Sequence, residues 1–164
     1  MTVTRRNRLA AAVLGVISLY ATAAAAQQPF TNTVCRAGTI SVLAKAENLM
    51  IYSLDHQGVS RDENDRKHFD NWTQRCVGTV GVFAGKPTGG GYCKSVDPAS
   101  GDMTMIDWAS GDKPGTGTWR FVAGTGKWKG VSGGGTYTNF APNRPTQEGT
   151  YQNCITAKGT YLLP

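Results

Sequence analysis

Residues 115–138 read GTGTWRFVAGTGKWKGVSGGGTYT, a run that sets glycine beside large aromatic side chains again and again. A glycine inside a strand costs about 0.5–1 kcal/mol in chain entropy and leaves nothing to pack, whereas a buried aromatic ring returns a few kcal/mol. The two belong together where strands bend hard and backbone must approach a ring, as in a narrow β-barrel. Gly115-Thr-Gly-Thr-Trp-Arg and Gly124-Thr-Gly-Lys-Trp-Lys nearly repeat, nine residues apart. A hairpin turning at Ala123-Gly124 or at Gly124-Thr125 puts Trp119, Phe121 and Trp128 on one face in either case, because the two registers differ by an even step. Arg120, Lys127 and Lys129 then share the wet face, so the aromatic face is the inner one.

Alternation bounded by turn residues recurs over 38–44, 49–54, 73–83, 91–96, 103–108, 118–123, 127–132, 136–140 and 150–162. Short strands at this spacing indicate an all-β sandwich or barrel, and the glycine and tryptophan run selects the barrel. Residues 61–70 (RDENDRKHFD) and 142–149 (PNRPTQEG) read as solvated loops. Asp62, Glu63, Asp65 and Asp70 lack the spacing and the glycine of a calcium loop. Residues 97–102 (DPASGD) read as a hairpin turn.

The N-terminus carries Arg5, Arg6 and Arg8, then an apolar run over 9–20, then Ala24-Ala25-Ala26. This is the order of a secretory signal cleaved after Ala26, which predicts a periplasmic or secreted protein with one β-barrel domain over 27–164. The apolar run is shorter than the ~20 residues of a membrane span, and no span is expected in the mature chain. The chain has 17 Lys and Arg against 11 Asp and Glu; losing the three leader arginines leaves 14 against 11, or +3. That is too mild, and too dispersed, for a nucleic-acid partner. Four cysteines, Cys35, Cys76, Cys93 and Cys154, in an exported chain without a C-x-x-C pair predict two disulfides and no metal site.

Chemistry is harder to find. Gly126-Lys127 lacks the upstream glycine and the Ser or Thr of a phosphate loop, and no nucleophile motif is present, so no cofactor is expected. Asp107, beside Trp108, with Glu47 and Glu148, are the acids next to apolar strands, and burial would raise the pKa of any of them towards general acid or base use. His56, at a strand end, and His68, in the charged loop, read as solvated. Trp108, Trp119, Phe121, Trp128 and Tyr137 form an aromatic set that either fills the core or lines a pocket, since an eight-stranded barrel is just wide enough for one or the other.

The stretch FVAGTGKWKGVSGGGTY, residues 121–137, resembles the glycine-rich hairpin of the allene oxide cyclase and dirigent barrels, where an aromatic, G-T-G, a second aromatic and further glycines follow in this order. The likeness is greatest to small exported bacterial members and runs over 72–164, including GYC at 91–93 and GTY at 159–161. It implies a closed antiparallel barrel of eight strands with an apolar interior, in a superfamily whose members cyclise a fatty-acid epoxide or hold phenolic radicals. No acidic or polar active-site position aligns beyond the glycine hairpin. Closure of such a barrel makes its first and last strands neighbours, favouring Cys35 with Cys154 and Cys76 with Cys93 among three possible connectivities. Three functions fit: a barrel that binds a small apolar or phenolic ligand, an isomerase or cyclase using one buried carboxylate, and a filled barrel acting through its surface.

Overall fold

The computed structural model describes residues 26–164; apart from Ala26, the leader expected from the sequence lies outside the described residues. Eight strands follow in chain order: β1 (Gln28–Ala46), β2 (Leu49–Asp62), β3 (Thr73–Phe83), β4 (Lys86–Val96), β5 (Met103–Ser110), β6 (Thr116–Gly124), β7 (Ser132–Asn143) and β8 (Thr150–Leu162). Each pairs antiparallel with the next, and β8 returns to β1, closing the barrel. The fold expected from the sequence is the fold observed.

Backbone pairing explains the glycines. From Ile40 on β1 it passes through Leu54, Gly78, Gly91, Trp108, Trp119, Gly135 and Gly159, and re-enters β1 at Phe30. The circuit returns ten residues away from its start, a stagger that goes with strands inclined by roughly 40° to the barrel axis. Two glycines, two tryptophans and two more glycines therefore stand side by side around the wall. A Cβ on Gly78 would lie 2.4 Å from Cζ2 of Trp108, so the indole occupies space that the neighbouring wall has given up. Gly117 does the same for Tyr137, whose hydroxyl oxygen would sit 2.4 Å from an added Cβ.

Residues 127–132 do not form the expected strand. Gly126–Trp128 is a single 3-10 turn, and β6 pairs with β7 through Trp119 and Gly135 rather than through Trp128. Gly126 has φ +53°, and a Cβ there would collide with the Asp102 carboxylate, so the chain leaves the strand at that point. Trp128 is still buried, at 1 % exposure, but it comes from a loop folded under the barrel.

The charged segment 61–70 joins it there and is not the wholly solvated loop that was expected. The carboxylate of Asp62 is buried and accepts hydrogen bonds from the backbone N–H groups of Asn64 (2.8 Å) and Phe69 (3.0 Å) and from the Asn64 side chain (2.7 Å). A buried charge is tolerated when its lone pairs are filled in this way. The loop wraps around it and turns Phe69 inward. Phe69 then meets Trp128 at 4.7 Å, Phe30 at 5.0 Å and Trp72 at 5.2 Å between ring centroids, which makes an aromatic floor.

The disulfides are Cys35–Cys154, across the seam between β1 and β8, and Cys76–Cys93, between β3 and β4. The pairing favoured by closure is the one present. Replacing both Cys35 and Cys154 with alanine removes a cross-link spanning 119 residues, so urea unfolding should show a loss of about 4–5 kcal/mol. Gly78→Ala should lower stability by about 1–3 kcal/mol, although alanine in a strand ordinarily gains up to about 1 kcal/mol over glycine. The same Cβ would also lie 2.6 Å from the Gly90 carbonyl oxygen, so Trp108→Leu, which frees only the indole contact, should not recover that loss. A stabilised Gly78→Ala single variant would contradict the packing described.

Candidate functional site

Alternation along each strand sends every second side chain inward. On β1 these are Phe30, Asn32, Val34 and Arg36; on β2 they include Leu54, His56 and Ser60. Together with residues of the other strands they enclose a cavity of about 160 Å³. Its lower wall is apolar, built from Phe30, Val34, Ile106, Trp108, Trp119 and Phe121 above the aromatic floor. Rings pack closely here, Phe30 on Trp119 at 4.5 Å and Trp119 on Phe121 at 5.3 Å.

Arg36 stands six residues beyond Phe30 on β1, ~20 Å along the strand, and at its level the wall becomes polar. Its guanidinium donates from Nε to Asn153 Oδ1 (2.8 Å), from Nη1 to His56 Nε2 (3.0 Å) and from Nη2 to Asn139 Oδ1 (3.4 Å). The other ring nitrogen of His56, Nδ1, is hydrogen-bonded to the Tyr151 hydroxyl. Arginine can only donate, so Nε2 of His56 is an acceptor, and the neutral ring carries its proton on Nδ1. Burial, with the Arg36 charge beside it, pushes the His56 pKa down to about 3, Asp55 opposing this weakly. Burial likewise lowers the pKa of Arg36 and pushes that of Tyr151 up to about 12. The collar at neutral pH is one guanidinium, one neutral imidazole and neutral phenols.

Of the aromatic set, Trp108, Trp119, Phe121 and Tyr137 line the chamber, while Trp128 belongs to the floor and packs behind Phe69. The three acids do not meet. Asp107 is on the outer face of β5, paired with Arg120 at 2.6 Å; Glu47 and Glu148 are exposed in the β1–β2 and β7–β8 connections. None of them lines the chamber. His56 is not solvated but 2 % exposed, because β2 runs on past the expected end at residue 54 and carries it inside. His68 is half-buried, its Nδ1 on the Tyr161 hydroxyl at 2.6 Å. The inward spacing of Tyr52, Leu54 and His56 was a usable signal for the collar, as was that of Val34 and Arg36. His56 also lies within 4.8 Å of Cys76 and Cys93, but those sulfurs are bonded to each other and offer no thiolate to a metal.

A buried histidine held neutral makes the fold sensitive to acid. The folded pKa lies below the unfolded 6.5, so the unfolded chain binds the extra proton and stability falls as pH drops from about 6.5 towards about 3. Between pH 6.5 and 4.5 the loss should be about 2–3 kcal/mol, with His68, also lowered by burial, adding in the same direction. Asp55 and Asp97, whose pKa values are lowered by Arg75 and Lys127, stay charged across that window. Urea unfolding against pH should show the slope in the wild type and a much flatter line in His56→Gln; equal slopes would refute the assignment.

Compared with known protein families and with curated proteins, the sequence matches none. Among solved structures it is similar to the pterocarpan synthase dirigent protein GePTS1, with a TM-score of 0.52 at 9 % identity, over 85 % of this chain and 93 % of that one. At that identity the likeness speaks for architecture, and it agrees with the eight-stranded closed circuit: the chain is built on the dirigent-type barrel fold.

Proposed function

We propose that this protein is an exported barrel that binds one small aromatic or apolar molecule in its interior without transforming it. The observation that carries the reading is the chamber of about 160 Å³ with its wall of Phe30, Trp108, Trp119 and Phe121. An apolar cavity of about 150 Å³ is enough to take up benzene, so the chamber suits a single ring with a small substituent. An unfilled interior argues against the surface-acting alternative. The isomerase alternative needs a carboxylate in the chamber, and among the described residues no Asp or Glu lines it. Export is supported by the leader pattern and by the two disulfides, which persist in oxidising compartments.

Titration with a panel of phenols and substituted benzenes should quench tryptophan emission saturably, since three indoles, those of Trp72, Trp108 and Trp119, line the chamber. Val34→Phe, which fills the chamber from β1, should weaken that response at least tenfold while leaving the circular dichroism spectrum unchanged. If no compound gives a saturable response, or if Val34→Phe binds as well as the wild type, the chamber is not a ligand site.

A further inference from the structure

The polar collar has an unusual balance of donors and acceptors. Among the described residues Arg36 forms no ion pair, and its three hydrogen bonds all go to neutral groups, Asn153, His56 and Asn139. A guanidinium carries five N–H groups, so two remain unused. The single lone pair of His56 Nε2 is used by Arg36, and the Oδ1 atoms of Asn139 and Asn153 each already receive one bond from it. The chain of bonds then runs from Arg36 into His56 and, through Nδ1–H, on to the oxygen of Tyr151. That order leaves the Tyr151 hydroxyl hydrogen without an acceptor among the described residues. Two buried polar atoms of the chamber lining have no partner, the Trp108 indole N–H and, two residues along β1 from Phe30 and away from the collar, the acceptor Asn32 Oδ1.

Spare donors and one uncompensated cation over an apolar, ring-sized chamber call for a ligand that is apolar at one end and a pure acceptor at the other. A carboxylate is such a group: it accepts at both oxygens, donates nothing and matches a guanidinium edge in bidentate fashion. We propose that the ligand of this barrel is a small aromatic carboxylic acid, bound as its anion, with the ring in the apolar chamber and the carboxylate on Arg36. This rests on the chamber being a ligand site and adds the charge of the ligand. It also gives the collar a purpose, because a half-buried guanidinium without a counter-charge carries a desolvation cost that a bound anion offsets.

The test is a calorimetric titration at pH 7 with matched pairs that differ in charge and little in shape, benzoate against benzamide and cinnamate against cinnamamide. The wild type should bind each acid at least tenfold more tightly than its amide. Arg36→Gln should lose that preference while keeping amide affinity within about threefold. Equal wild-type affinity for acid and amide overturns the assignment of charge but leaves the chamber as a site for neutral rings. A preference that survives in Arg36→Gln overturns the role of Arg36. Binding of neither acid nor amide overturns this inference, and silence across the wider panel of phenols and benzenes removes the chamber reading as well. Should Arg36→Gln fail to fold, the wild-type comparison still decides the charge, and Arg36→Lys, which keeps the cation, should retain the preference.

Discussion

An indole on the inner face of an eight-stranded barrel needs room that the wall opposite or beside it must yield. Here the wall yields it in a regular way, because the pairing circuit that closes the barrel runs glycine, glycine, tryptophan, tryptophan, glycine, glycine before it reaches Phe30. Closure, strand stagger and aromatic burial are therefore one constraint. A side chain on Gly78 pushes on Trp108, and Trp108 is also wall to the chamber. The rings fill one end of the barrel and leave a chamber of about 160 Å³ between them and the polar collar.

The chamber is graded along the barrel axis. Its closed end is made by two connections, the 3-10 turn that carries Trp128 and the loop anchored on Asp62 that carries Phe69. Its other end holds a hydrogen-bonded set centred on Arg36 and His56. Such a set is costly to bury unless it is nearly satisfied internally, and low surrounding polarity strengthens every bond within it. The same set keeps His56 neutral, and so ties the acid stability of the fold to the electrostatics of the site. The apolar wall and the guanidinium are thus spatially separate, one at each end of the interior.

Much of this was legible in the sequence. The run at 115–138 called for inward aromatics with glycine neighbours, and Trp119, Phe121 and Trp128 are all inside. The strand segments 73–83 and 150–162 match β3 and β8 to the residue. An even cysteine count together with closure led to the two bridges present. Strand ends were less legible: β1 and β2 run well past the segments read for them, since polar residues in a strand read as a boundary when they are in fact the inward polar collar. That is why the local sequence points past Arg36 and reads His56 as a surface group.

Composition and spacing by themselves determined the class of fold, the inward direction of the aromatic residues and the requirement for glycine among them, because side-chain alternation and backbone freedom are local properties of the chain. The tertiary structure alone decided which glycine faces which ring, that Trp128 enters from a loop, and that Phe69 from a charged segment closes the floor. It also decided that Arg36, His56 and Tyr151, 20 and 95 residues apart in sequence from one another, share one network inside the barrel. Those facts depend on the register with which β8 meets β1, and a closing register is a sum over all eight pairings that no single stretch of sequence contains.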